Sequence, residues 1–218
     1  MENRRPLASR GKEVFHQAAR LLVSIGLKPN HVSLLSMIFA ALGFYGFWLM
    51  SRGLSDVYLG GLIALLGIQL RLLCNLLDGL MAVEGGLRSP QGEIFNDAPD
   101  RLSDLILILG VGFVLSGSIG IWGWHLAWAA GVVAVLTAYV RLLGASMGVG
   151  HYFLGPMAKQ HRMAALNLGV VGTMAEAYAT GSIGIFLLVT ALLIFLGSVI
   201  TTFRRLVKIC SAIGSRSS

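Results

Sequence analysis

The sequence predicts an all-α integral membrane protein, with six transmembrane helices preceded by an N-terminal amphipathic surface helix and both termini in the cytoplasm. Composition, apolar runs and the placement of basic residues carry that prediction. Of 218 residues, 56% are hydrophobic and 12% charged, with a mean hydropathy of +0.77, whereas a soluble domain carries roughly a quarter charged residues. The formal net charge of +7 would suit a nucleic-acid binder. Here, though, the basic residues stand beside apolar runs, as the cytoplasmic flanks of membrane helices do, so nucleic acid is not an expected partner. Cys74 lies in an apolar run and Cys210 near the C-terminus; without a CxxC or Cys/His pattern they support neither a disulfide nor zinc.

The elements follow in order. Gly11–Ile25 places Val14, Ala18, Leu21, Leu22 and Ile25 on one helical face, with Lys12, Glu13, His16, Gln17 and Arg20 around the other. That pattern fits an amphipathic helix on the membrane surface, or equally one packed on a bundle. Its charges also argue against a secretory signal peptide. A spanning helix needs about 20 mostly apolar residues. The candidates are Val32–Met50, Tyr58–Met81, Leu102–Ile119, Leu126–Leu143, Met163–Tyr178 and Ile183–Thr202. The fifth is short and rich in Gly and Ala, which suits close helix packing, as does the pair Gly144 and Gly148. Trp122, Trp124, His125 and Trp128 read as an interfacial belt at the far side.

Charge sets the orientation. Arg4, Arg5, Arg10, Lys12, Arg20 and Lys28 precede the first span, and Arg88 and Arg101 follow the second. Lys159 and Arg162 follow the fourth, Arg204, Arg205, Lys208 and Arg216 the sixth, and Arg52 alone lies on the other side. The positive-inside rule then puts both ends in the cytoplasm. The chain reads as one domain over 1–218: a cytoplasmic amphipathic segment (1–28), a six-helix bundle (29–205) and a cytoplasmic tail (206–218).

Two polar clusters interrupt the apolar pattern, NLLDGLMAVEGG from Asn75 and FNDAPDRLSD from Phe95. On a helix Asn75, Asp78 and Gly79 share a face, continued by Ala82. After a connection in which Ser89 is a helix N-cap and Pro90 the first helical residue, Asn96, Asp100 and Asp104 recur every four residues, with Asp97 to the side. Two antiparallel helices would bring Asp78 near Asn96 and Asp100. The result is a set of hard oxygen ligands of the kind Mg²⁺ and Mn²⁺ prefer. A solvated helix end would explain one such Asp. A set in register on both sides of a turn points to function, because ionisable residues at membrane depth are costly.

These clusters resemble the signature of the CDP-alcohol phosphatidyltransferase family, Dx2DGx2ARx8Gx3Dx3D. Asp78, Gly79, Ala82, Gly92 and Asp100 match it in register, while Asn75, Asn96 and Val83 stand where the family has Asp, Asp and Arg. KPNHVS (Lys28–Ser33) is similar to the family's approach to its first span. The resemblance implies an enzyme of phospholipid biosynthesis that moves a substituted phosphoryl group, phosphatidyl if the donor is CDP-diacylglycerol, from a CDP-alcohol to a hydroxyl acceptor, releasing CMP. It also implies Mg²⁺ or Mn²⁺ held by Asp78, Asp100, Asn75 and Asn96, with Asp97 and Asp104 as compensating carboxylates, and Asp100 as the base. Nucleotide contacts would come from Pro29, Asn30, Ser33, Asn75, Asp78, Gly79, Ala82 and Gly92. A homodimer in the bacterial inner membrane with a cytoplasmic active site is the implied setting. Two Asn for Asp should lower affinity for divalent ions, since ligand charge is a main determinant. A first ion held tightly and a second arriving only with substrate is the expected consequence.

Arg71 and Gln69 lie inside the second span and Arg141 near the cytoplasmic end of the fourth. An arginine at depth needs an anion or a polar cavity. With GPMAKQHR (Gly155–Arg162), Arg141, Lys159 and Arg162 form a candidate acceptor-phosphate site; flanking charge is the plainer explanation for Lys159 and Arg162. His31 and His161 carry little weight alone. Two other function classes compete. A catalytically weak relative acting as a nucleotide-binding, lipid-binding or assembly protein would accord with Asn75 and Asn96. A transporter would need polar residues spread across the spans, and here they gather at the cytoplasmic ends.

Overall fold

A computed structural model describes residues 13–84, 86 and 92–215. The basic residues before Glu13, together with Arg88, Ser89, Pro90 and Arg216, lie outside them, so the expected Ser89–Pro90 helix start is not described. Seven helices order the described chain: α1 (Glu13–Ser24), α2 (Pro29–Met50), α3 (Val57–Glu84), α4 (Gly92–Ile119), α5 (Ile121–Ser146), α6 (Lys159–Thr180) and α7 (Ile185–Gly214). Five of them, α2, α3, α4, α5 and α7, are long and apolar enough to cross a membrane. Leu62, Leu168, Leu193 and Phe203 on the outside are all more than half exposed, a coat suited to lipid.

Helix α6 contains the expected fifth run and is long enough to span, but it is not apolar enough, because Lys159, Gln160, His161, Arg162, Asn167 and Glu176 share its 22 residues. Helix α7 extends beyond the expected span Ile183–Thr202. It continues unbroken through Arg204, Arg205 and Lys208 to Gly214, so residues 206–214 of the expected tail are helical.

Small residues set the contact that matters most for the site. Helices α2 and α3 run antiparallel with backbone touching backbone: a Cβ on Gly46 would collide with Ala64, and one on Gly67 with Gly43. Such approach needs glycine. Carried about three turns further along the pair, the same register sets Ser33 against Asp78. By contrast Gly148 lies beyond the end of α5 with φ +74°, so it does not share a helix face with Gly144. Trp124, expected in the far-side belt, packs edge-on against Phe113 at 4.9 Å, over Gly112.

Helix α1 packs on the bundle and keeps an exposed apolar edge. Phe15, Ala18, Ala19, Leu22 and Val23 pack against a cluster containing Val32, Leu77 and Met81, while Val14, Leu21 and Ile25 remain 63–71% exposed. The hydrogen bond from Arg20, with its charge, holds the Glu13 carboxyl below its usual range.

At the opposite end of the bundle, the start of α7 is capped by a neighbouring helix. Glu176 of α6 is buried, and its carboxylate accepts the N–H groups of Gly184 (3.3 Å), Ile185 (3.1 Å) and Phe186 (3.3 Å). The first turn of a helix leaves N–H groups without partners; here one acid supplies them.

Candidate functional site

The two polar clusters meet at the end of the bundle where α3 finishes and α4 begins. Asn75 and Gly79 from α3, and Asn96, Asp97 and Asp100 from α4, line one cavity of about 570 Å³. Thr137 and Arg141 of α5, Lys159 and Arg162 of α6 and Arg205 of α7 complete the wall. Residues scattered over more than 130 positions thus converge because the helices α3 to α7 each bring one polar end to the same place.

Asp78 is buried beside this cavity. Its Oδ2 accepts the Ser33 hydroxyl at 2.6 Å, and its Oδ1 has no hydrogen-bond partner among the described residues. Asn75, one turn earlier, has a buried Nδ2 in the same condition. A buried polar atom left unmatched costs about 1–3 kcal/mol. An acceptor and a donor orphaned a turn apart suit a ligand of both signs, a cation together with a phosphate.

The other carboxylates are engaged. Asp97 accepts Arg101 Nη2 at 2.6 Å and Arg141 Nη2 at 2.9 Å. Asp104 is sandwiched between Arg71 (2.6 Å) and Arg162 (2.7 Å), the three side chains being at most 2% exposed. Asp100 meets Arg71 Nη2 at 3.0 Å and the Lys159 ammonium, both on Oδ1. Arg71 also donates to the Asp100 carbonyl at 3.1 Å. Buried charges survive only when paired in this way. Burial pulls the Lys159 ammonium below the ordinary lysine range, and the Asp100 carboxylate opposes that pull.

The loop ahead of α6 fixes Lys159 and Arg162. Gly155 has φ +113°, and a Cβ there would strike Thr201. The Thr201 hydroxyl then accepts the Met157 N–H at 3.0 Å, and Arg162 donates to the Met157 carbonyl at 3.0 Å. His161 Nδ1 donates to the Pro156 carbonyl at 2.6 Å, which makes it a loop anchor.

Set against the sequence, the structure gathers Asn75, Gly79, Asn96, Asp97, Asp100, Arg141, Lys159 and Arg162 around one cavity, with Asp78 and Ser33 beside it. Pro29 and Asn30 stand a turn before Ser33; like Ala82 and Gly92 they do not line the cavity. Asp97 and Asp104 are bound to arginines, so the charge they were expected to lend a metal is already matched. Arg205 was read only as a flanking charge. It is buried, donating to the carbonyls of Leu154 (2.9 Å) and Thr137 (2.5 Å). A signal for it existed: Ser198, Thr201 and Arg205 form a buried polar face on α7, at helical spacing.

The residues fit a divalent cation by donor type, with hard oxygens from Asp78, Asp100, Asn75 and Asn96 and an orphaned Asp78 Oδ1. They fit it with less charge than a four-carboxylate set. Among the described residues no three His, Cys, Asp or Glu side chains converge as a metal cluster.

An all-helical bundle with an acid, basic and amide-lined cavity at one end defines the class: an integral membrane protein with a polar, phosphate-suited site. No family model matches the chain. Over 176 residues, 81% of this chain and 83% of the relative, it is 23% identical to archaetidylinositol phosphate synthase of Pyrococcus horikoshii. Its fold is similar to that of Mycobacterium tuberculosis phosphatidylinositol phosphate synthase. With CDP-DAG bound, that structure superposes with a TM-score of 0.70 at 19% identity, covering 91% of this chain and 94% of the other. The complex with manganese and citrate gives 0.71 at 20%, covering 89% and 88%. The shared fold agrees with the CDP-alcohol phosphatidyltransferase resemblance carried by the two polar clusters.

Proposed function

We propose that this chain is a membrane phosphotransferase that moves a substituted phosphoryl group, phosphatidyl when the donor is CDP-diacylglycerol, from a CDP-alcohol to a hydroxyl acceptor and releases CMP. The observation that carries this reading is the cavity itself, where Asn75, Gly79, Asn96 and Asp100 face Arg141, Lys159, Arg162 and Arg205. Acids and amides for an ion and base stand opposite cations for phosphate. The names of the relatives support an acceptor that carries its own phosphate, which the cations suit.

Asp78, with the amides of Asn75 and Asn96, would hold Mg²⁺ or Mn²⁺, and Asp100 stands beside them as the base. Such an ion, when bound, neutralises the pyrophosphate and stabilises charge on the departing CMP. The chain's own residues do the rest. Arg141 and Arg162 hold the acceptor phosphate, and Lys159 stands at the start of α6, where the helix end also favours anions. Asp100 keeps its two cations on Oδ1, so Oδ2 takes the acceptor proton. The acceptor oxygen bonds to the phosphorus that carries the alcohol. The bond from that phosphorus to the oxygen of CMP breaks, and CMP leaves with the electron pair. Orientation of the two substrates against Asp100 supplies much of the rate.

The setting belongs to the same proposal. Six spans with α6 as the fifth, both ends cytoplasmic, put the cavity at the cytoplasmic face of a bacterial inner membrane, where a lipid donor can enter sideways. A homodimer is the proposed assembly. Purified protein in lipid nanodiscs, supplied with CDP-diacylglycerol, Mg²⁺ or Mn²⁺ and a panel of phosphorylated and unphosphorylated polyols, should release CMP only when all three components are present. If no acceptor yields CMP with either ion, the reading is lost, and a binding or assembly role takes its place.

A further inference from the structure

Four acids stand in or beside the cavity, and the structure treats them unequally. Asp97 has two arginines, Asp104 has two arginines, and Asp100 has Arg71 and Lys159 on one oxygen. Among the described residues only Asp78 has no cation in contact: its partner is a neutral hydroxyl, and its Oδ1 is unmatched. The amides of Asn75 and Asn96 add oxygen without charge.

A divalent ion gains affinity from ligand charge. At Asp100 it would have to displace an ammonium and then sit beside the Arg71 guanidinium, whose distance to Oδ1 is already 3.0 Å. The backbone that carries that ammonium is fixed. Lys159 is the first residue of α6, and the turn around it is fastened by Met157 to Thr201, by His161 to Pro156 and by Arg162 to Asp104. A lysine ammonium is a compact point charge with rotatable donors, so it supplies positive charge to a phosphate without demanding a coordination geometry.

We propose that Lys159 is the resident cation at Asp100, and that the cavity consequently takes a single divalent ion, at Asp78, with the lysine supplying the second positive charge for the donor phosphates. The inference rests on the metal-dependent reading above and deepens it: one of the positive charges that the reaction uses is built into the chain.

The test counts ions on the full-length protein in nanodiscs, by electron paramagnetic resonance of free Mn²⁺, alone and with CMP. Wild type should bind one Mn²⁺ per chain. Asp78→Asn should abolish that binding, while Asp100→Asn should leave both count and affinity in place. Lys159→Met, which keeps the chain length and removes the charge, should bind a second ion, and Lys159→Arg should not. Two ions on wild type would overturn the single-ion proposal and leave the transferase reading standing. No ion on wild type under either condition would overturn both. A Lys159→Met protein that melts like wild type yet stays at one ion would show that Lys159 is not what excludes the second. If Lys159→Met does not fold, the wild-type count and the two aspartate variants still decide, since loss of Mn²⁺ binding in Asp100→Asn contradicts the proposal.

Discussion

Two buried acids at opposite ends of the bundle make the most instructive comparison. Glu176 spends both oxygens on three backbone N–H groups of α7 and borders no described cluster of charges. Asp78 holds one hydroxyl and leaves an oxygen unmatched. Both are costly to place inside an apolar bundle, and hydrophobicity profiles do not tell them apart. Satisfaction does. An acid whose lone pairs are all taken by its own fold is part of the scaffold, whereas one whose acceptor capacity is withheld has been kept for a ligand.

Several substitutions would break or sharpen that contrast. The largest effect is expected for Asp100→Asn: CMP release per folded molecule should fall by about 10³-fold, the scale of losing a positioned base, and the melting temperature should fall too, because Arg71 and Lys159 lose a buried partner. A fall below about tenfold would remove Asp100 from the role of base. Glu176→Ala strands the α7 N–H groups and should cost roughly 3 kcal/mol in reversible unfolding, on the scale of unmatched buried donors. Activity per folded molecule should hold at permissive temperature. A variant as stable as wild type would mean that the cap does not matter.

Gly67→Ala sits between these two. Overpacking against Gly43 should cost about 1–3 kcal/mol, and because the same contact sets Ser33 against Asp78, turnover should fall as well. Stability loss with unchanged turnover would uncouple the helix contact from the site. The smallest effect is expected at Asn75. Asn75→Asp adds charge to the ion's ligands and should lower the Mn²⁺ concentration for half-maximal activity several-fold, whereas an unchanged requirement would place Asn75 away from the ion.

What could be read before the structure followed from local periodicity. The apolar runs foretold the long helices, and the three- and four-residue spacings foretold that Asn75, Asp78 and Gly79 would share a face and that Asn96 and Asp100 would join them across the connection. The resemblance supplied the chemistry those faces suggested. The parts that stayed hidden depend on contacts between helices far apart in sequence. Nothing local links Lys159 to Asp100, 59 residues away, or Arg205 to the Thr137 carbonyl, 68 residues away. Asp104 looked like a spare metal ligand because its two arginines lie on α3 and α6. Helix α6 read as a short span rich in Gly and Ala, and that content conceals how many polar groups it delivers to both of its ends.

The central claim is that an acid keeping an oxygen open serves the reaction, and one whose two oxygens are both taken serves the fold. The most direct measurement compares CMP release per folded molecule for Asp78→Asn and Glu176→Gln, both in nanodiscs with saturating CDP-diacylglycerol, Mn²⁺ and the acceptor that wild type uses. The account predicts loss of turnover in Asp78→Asn at a wild-type melting temperature, and a lowered melting temperature with wild-type turnover in Glu176→Gln. Retained turnover in Asp78→Asn, or the two phenotypes exchanged, would contradict it.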